Sequence, residues 1–245
     1  MVRRFCIIGP MNPPDPFLSV VIPVFNEVLL LERVVHQLLD ELPLVAESFE
    51  LILSENGSTD GSCGIVDEIA ARRPLVRVLH SPVADYGLAL KRGLEAAQGR
   101  YVFHCAVDLV DLDFLRTALG LISSHDAVLG SKYLQAGLDT RTWFRRAAGR
   151  AYAGLLRTLF ALEAADTHGI KLFRRETVAP HIAACRFGGS MFDTELILNL
   201  TAAGLRLIEV PLASREVRAS RRNVLMVACG ALIDLARLAA VRVRR

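Results

Sequence analysis

Short apolar runs alternate with stretches whose apolar residues recur at helical spacing, and the alternation holds from residue 18 to residue 130. Residues 18–24 form a β-branched run closed by Pro23 and Asn26, which suits an inner parallel strand. Residues 27–42 follow, with Leu31, Val34, Val35, Leu38, Leu39 and Leu42 on one helical face. The pattern then predicts a strand at 50–53, a helix capped by Ser58-Thr59-Asp60 and running to Arg73, a strand at 76–79 and a helix at 88–97 closed by Gly99. A fourth strand at 101–107 stops at Asp108, and a helix at 114–122 leads to a short strand at 127–130. Such alternation predicts an α/β fold with a Rossmann-like, mostly parallel central sheet and helices on both faces.

After Ser131 the rhythm changes. Residues 141–162 read as a long helix with Trp143, Phe144, Tyr152 and Phe160 among arginines, 169–173 as a strand, 192–203 as a helix, and 205–210 as a last strand halted by Pro211. At the ends, the prolines within 1–16 predict a flexible arm, and 223–245 reads as an amphipathic helix flanked by arginines. The division expected is therefore an arm at 1–16, one domain at 17–222 and a helical tail at 223–245.

A length of 245 residues suffices for one α/β domain with a large core. The net charge is only +3, and Lys91, Lys132 and Lys171 are the sole lysines; no nucleic-acid partner is expected. Cys6, Cys63, Cys105, Cys185 and Cys229 are odd in number and scattered among apolar or small residues, which reads as reduced, buried thiols of a cytosolic protein. No window of about 18 uncharged apolar residues occurs, and the apolar run after Arg3 and Arg4 is too short for a secretory signal. The expected location is the cytoplasm, peripheral on the inner face of a membrane.

Chemistry should gather where the strands end. Three polar loops follow strands one, two and four: Pro23-Val24-Phe25-Asn26-Glu27, Glu55-Asn56-Gly57-Ser58-Thr59-Asp60 and Asp108-Leu109-Val110-Asp111. In an open α/β sheet they converge on the carboxyl-end crevice where ligands bind, and an acid after strand four can hold a metal against phosphate.

These loops, together with Tyr86-Gly87-Leu88-Ala89-Leu90-Lys91, resemble successive signatures of the family-2 glycosyltransferases, which have a GT-A fold. Gly130-Ser131-Lys132-Tyr133, Asp166-Thr167-His168-Gly169-Ile170-Lys171, Phe192-Asp193-Thr194-Glu195 and Glu209-Val210-Pro211 resemble the branch of dolichyl-phosphate mannose synthases and bacterial polyprenyl-phosphate glycosyltransferases. The resemblance implies transfer of a sugar from a nucleotide-diphosphate sugar to a polyprenyl phosphate, with inversion. It implies that Pro23, Asn26, Glu27, Glu55, Gly57, Gly87, Lys91 and Val107 bind the nucleotide sugar. Asp108, Asp193 and Glu195 would be catalytic, and Asp108 would hold a divalent metal, Mg2+ or Mn2+.

Lys132, Arg215, Arg218, Arg221 and Arg222 would bind the acceptor or a phosphate, the four arginines reading equally as a solvated basic face. For the tail helix and the Trp143-Phe144 helix, contact with a membrane surface and a homodimer through the C-terminal helix both stay open. Two departures from the family pattern stand out. Its Asp-Asp-Gly-Ser is Glu55-Asn56-Gly57-Ser58 here, and its Asp-x-Asp metal motif is Ala106-Val107-Asp108, with Asp111 or water as the replacement ligand, so that weak or no metal binding is expected. The alternatives are a nucleotide-sugar-binding homologue with weak or no catalysis, and a transferase to a soluble hydroxyl acceptor.

Overall fold

The computed structural model describes residues 15–134, 143–162, 164, 166–212, 235, 237 and 238. Residues 1–14 of the expected arm, Arg215, Arg218, Arg221, Arg222 and nearly all of the expected tail helix lie outside the described residues. Within them, β1 (Leu18–Val24), β2 (Phe49–Asn56), β3 (Val76–Ser81), β4 (Tyr101–His104), β5 (Ala127–Ser131), β6 (Lys171–Arg174) and β7 (Leu207–Pro211) form one sheet in the order β3-β2-β1-β4-β6-β5-β7. The helices are α1 (Leu31–Glu41), α2 (Ser62–Arg72), α3 (Tyr86–Ala96), α4 (Leu112–Leu121), α5 (Trp143–Phe160), α6 (Arg175–Ala184) and α7 (Met191–Ala202).

β1 and β2 are buried along their whole length, as inner strands covered on both faces must be. Alternate residues serve opposite layers, because successive strand side chains point to opposite faces. Val20, Ile22 and Val24 join Leu31 and Leu38 of α1, Val66 of α2 and Leu115 of α4 in one core. Val21 and Ile52 join Leu90 of α3, Ile182 of α6 and Phe192 of α7 in the other.

The strands are parallel from β3 through β4, but β6 runs antiparallel to both β4 and β5. Antiparallel pairing places Lys171, the first residue of β6, opposite His104, the last of β4. The later half of the chain therefore enters the sheet at the same edge where β1, β2 and β4 leave it.

Several boundaries differ from the sequence pattern for local reasons. α1 begins at Leu31 because the Glu27 carbonyl accepts the N–H groups of Leu30 and Leu31 and turns residues 27–30 tightly. The cap expected of Ser58-Thr59-Asp60 forms in part: α2 starts after Gly61 at φ 97°, which as the N-cap residue supplies no side chain, but Asp60 Oδ1 accepts the N–H of Ser62, the first residue of the helix, at 3.0 Å. β4 ends three residues early, since Leu109 N–H returns to the Ala106 carbonyl at 3.0 Å. α6 was not expected at all; it buries only Val178 and Ile182 and contains Pro180, which reads as a breaker.

Candidate active site

The loops after β1 and β2 are fastened to each other. Asn26 has φ 55°, and its Oδ1 accepts the Thr59 N–H at 2.8 Å. The N–H groups of Asn26, Glu27 and Val28 donate to Ser58 Oγ at 3.1 Å, Ser62 Oγ at 2.8 Å and Asp60 Oδ2 at 3.1 Å. Ser58 and Asp60 thus fix the crevice wall formed by 26–28. Gly57 sits at φ 76°, where a side chain would be strained, and its Cβ would stand 3.1 Å from the Pro82 carbonyl oxygen. Pro23 lies within buried β1 beside Ser54 of β2.

Glu55 ends this wall from below and is buried. Its Oε1 accepts the Ser58 N–H at 2.6 Å. Burial would raise the carboxyl, but hydrogen bonds from Ser58, from the Gly57 N–H and from His80 outweigh it and hold Glu55 below the ordinary glutamate range.

A second group of polar side chains lies inside the protein where β4 and β6 meet. Lys171 and Asp193 are each 1% exposed. Lys171 Nζ donates to Asp193 Oδ1 at 2.6 Å and to the Gly169 carbonyl at 2.7 Å. Burial alone would raise the Asp193 carboxyl, yet the Lys171 charge beside it prevails and holds it below its usual range. His104, also buried, has its pKa lowered to about 3, first by burial and then by Lys171, with Asp193 opposing. The Tyr86 hydroxyl is 3.3 Å from His104 Nε2, and burial followed by the Asp193 charge raises the phenol well above its ordinary value. Thr194 Oγ1, next along α7, lies 3.0 Å from Thr167 Oγ1 and 3.2 Å from the Tyr152 hydroxyl.

The other expected site residues divide by the work they already do. Glu195 Oε2 accepts the N–H groups of Arg186 and Phe187 at 2.7 and 2.9 Å, so this buried acid ties down the segment before α7. Lys91 Nζ donates to the carbonyls of Cys185 at 2.7 Å and Ala183 at 3.2 Å, closing the end of α6. Gly87 admits close backbone approach, but from within the protein: a Cβ there would lie 2.5 Å from the Gly189 carbonyl oxygen. Asp85 caps α3 through Leu88 N–H at 2.9 Å and accepts Gly189 N–H at 2.8 Å, joining the same two segments. Lys132 Nζ is 3.7 Å from Asp166 Oδ2.

The turn after β4 leaves Asp108 exposed while Val107 is buried. Asp111 Oδ1 caps α4 by accepting the Phe114 N–H at 2.8 Å, and Ala106 offers no ligand. One exposed carboxylate fits a divalent cation shared with a diphosphate and does not fit a cage made by protein alone, since Mg2+ commonly takes one or two carboxylates with substrate phosphates and water. The cysteines also differ from expectation. Cys105 and Cys185 are buried as expected, whereas Cys63 is half-exposed; Cys6 and Cys229 lie outside the described residues.

The model of the glycosyl transferase family 2 matches residues 19–181. The chain belongs to this family. Its sheet is the GT-A sheet, and two solved structures show the same fold: mannosyl-3-phosphoglycerate synthase from Rubrobacter xylanophilus, with TM-score 0.72, 18% identity and coverage of 94% of this chain and 76% of that one, and glucosyl-3-phosphoglycerate synthase from Mycobacterium tuberculosis, crystallised with Mn2+ and UDP, with TM-score 0.66, 22% identity and coverage of 92% and 79%. In sequence the chain is 32% identical over 200 residues to glycosyltransferase AglD of Haloferax volcanii, covering 79% of this chain but only 32% of that relative. The undecaprenyl-phosphate mannosyltransferase of Micrococcus luteus is 27% identical over 83% of this chain and 86% of its own length. The dolichyl-phosphate beta-glucosyltransferase of Trichomonas vaginalis is 24% identical over 87% of this chain and 68% of its own. This family-2 chain thus spans about a third of the Haloferax relative's length.

Lys171 and His104 are the residues of the family-2 chain that sequence reasoning underused. A lysine within the apolar run Ile170-Lys171-Leu172-Phe173 is a signal in itself, because an ammonium in an inner strand demands a buried partner. Its partner Asp193 is 22 residues away in another element, which spacing alone does not reveal. Among the described residues, no helix is long and apolar enough to cross a membrane.

Proposed function

We propose that this family-2 chain transfers a sugar from a nucleotide-diphosphate sugar to a polyprenyl phosphate, inverting the anomeric centre, at the cytosolic surface of a membrane. The observation that carries the acceptor class is the state of Asp193. A general base works best with a pKa near the working pH, whereas Lys171 holds this carboxylate below its ordinary range. Glu195, the other acid in place for the task, is occupied by two backbone N–H groups. A lipid phosphate arrives ionised and needs neither. The names of two relatives that align over most of the chain, an undecaprenyl-phosphate and a dolichyl-phosphate transferase, support the same acceptor class.

In this reading Pro23, Asn26, Glu27, Glu55, Gly57 and Val107 line the donor pocket, and Asp108 holds Mg2+ or Mn2+ against the donor diphosphate. When bound, that cation supplies charge neutralisation to the departing diphosphate. Asp193 and Lys171 act as a fixed, paired charge beneath the reacting groups, preorganised before substrate arrives. Lys132 with Arg215, Arg218, Arg221 and Arg222 receives the acceptor phosphate, and the 223–245 segment rests on the membrane surface. Ala106 supports a second reading, a homologue that binds nucleotide sugar without turnover.

The test is a panel of labelled nucleotide sugars offered to the purified full chain with polyprenyl phosphate in micelles, or with 3-phosphoglycerate, in Mg2+ or Mn2+. Label passing into a lipid-soluble product is expected. Transfer to the soluble acceptor alone, abolished by Asp193→Asn with donor binding intact, would overturn the lipid acceptor. Donor binding with no transfer to either acceptor would establish the second reading.

A further inference from the structure

Among the described residues, one cluster of ligand-type side chains lies outside the expected metal turn. β2 and β3 are parallel with Glu55 directly opposite His80, so their side chains leave the sheet on the same face. Cys63 stands above them in the first turn of α2. His80 Nδ1 is 3.7 Å from Cys63 Sγ and 3.5 Å from Glu55 Oε2, and the three donor atoms all lie within 4.8 Å of one another. A tetrahedral ion with bonds of about 2.0–2.3 Å holds its ligand atoms about 3.3–3.6 Å apart. The two separations from His80 Nδ1 already have close to that spacing.

The surroundings suit an ion as well. On the far side of the imidazole, His80 Nε2 is 2.9 Å from Asp67 Oδ1. Metal-binding histidines commonly pair their second nitrogen with a carboxylate in this way, which fixes the tautomer and aims the other lone pair at the ion. Glu55 divides its oxygens similarly: Oε1 is engaged by the Ser58 N–H, and Oε2 faces the cluster. His80 and Cys63 are open to solvent, which gives an ion a route in. Sulfur and imidazole together select a soft or borderline cation over Mg2+.

We propose that Glu55, Cys63 and His80 bind a thiophilic divalent cation of the Zn2+ class, with Asp67 orienting the imidazole and water as the fourth ligand. The site is separate from the Asp108 turn. Its consequence for activity rests on the donor-pocket reading above: an ion that engages Glu55 withdraws that carboxylate from the nucleotide, so Zn2+ weakens donor binding.

Co2+ titration of the full chain tests the site directly. One equivalent should bind with tetrahedral bands and a sulfur-to-cobalt charge-transfer band. Cys63→Ser and His80→Gln should each abolish that band or weaken binding at least about 10-fold, and Asp67→Asn should weaken it by about 10-fold to 100-fold; circular dichroism confirms that each variant is folded. An octahedral spectrum without the sulfur band, or unchanged affinity in Cys63→Ser, overturns the site.

Calorimetry with UDP and GDP, with and without Zn2+, tests the consequence. Weaker nucleotide binding in Zn2+, restored by Cys63→Ser, is expected, and indifference to Zn2+ overturns the regulatory part. A sulfur-bound cobalt in a chain that binds neither nucleotide would leave the metal site standing and remove the donor-pocket reading instead.

Discussion

Replacing Lys171 with methionine keeps the length of the side chain and removes its charge. Asp193 is then left in the interior with no cation, since Lys171 Nζ at 2.6 Å is its ion-pair partner and both are 1% exposed. Removing one member of a buried pair typically costs about 3–5 kcal/mol. At about 2–4 °C per kcal/mol for a domain of this size, the melting temperature should fall by about 6–20 °C. The sign of the pH dependence follows from Asp193. Its folded pKa is depressed in the parent, so its contribution is complete above the unfolded value near 3.9 and is lost as pH falls through the folded value. In Lys171→Met the unpaired carboxyl is pushed the other way and takes up a proton more readily, so the gap between parent and variant should be widest near pH 7 and narrow toward pH 4. Urea denaturation followed by circular dichroism at both pH values measures this. The double variant Lys171→Met with Asp193→Leu should recover most of the loss, because an apolar pair removes both charges from the interior. A loss below about 1 kcal/mol in the single variant, or a double variant as unstable as the single, would refute the reasoning.

Three further outcomes are expected. His104 has its pKa lowered to about 3 from an ordinary 6.5, so the unfolded chain takes up a proton that the folded one refuses; stability should decline by a few kcal/mol as pH falls from 6.5 toward 3, and His104→Gln should flatten the urea midpoint over that window. Gly87→Ala places a Cβ 2.5 Å from the Gly189 carbonyl oxygen and should lower stability by about 1–3 kcal/mol, seen as a lower urea midpoint. Ala106→Asp supplies a second carboxylate beside Asp108 and should strengthen Mn2+-dependent UDP or GDP binding several-fold in calorimetry; unchanged metal affinity would show that the turn cannot bring residues 106 and 108 to one ion.

The fold was legible where periodicity and burial coincide. The run at 18–24 is β1 residue for residue, because an inner strand needs apolar side chains on both faces and few sequences supply them otherwise. Polar segments were harder, since a serine or an aspartate can serve a helix end or a neighbouring loop with the same atoms. Ser58 and Asp60 read as caps for α2, but Ser58 Oγ holds the N–H of Asn26 and Asp60 divides its oxygens between the first N–H of α2 and the N–H of Val28, 32 residues away. α6 escaped notice because two buried side chains and a proline make almost no periodic signal. In the site, the acids were found but not their employment. Asp193 and Glu195 are two residues apart, yet one faces a lysine and the other two backbone N–H groups. Cys63 and His80 stand 17 residues apart in the chain, and only the parallel strand register and the start of α2 bring them together.

The reversed direction of β6 also bears on how the chain is made. β5 joins the sheet only between β6 and β7, and β4 has β6 as its outer neighbour. As the polypeptide emerges from the ribosome, residues 101–104 therefore present a bare strand edge until residue 174 has followed. Unpaired edges of that kind invite association with other chains. The few residues of β6 can close that edge, but they bring in Lys171 ahead of its partner: Asp193 follows 22 residues later on α7, so the lysine waits unpaired at the sheet until α7 has been made.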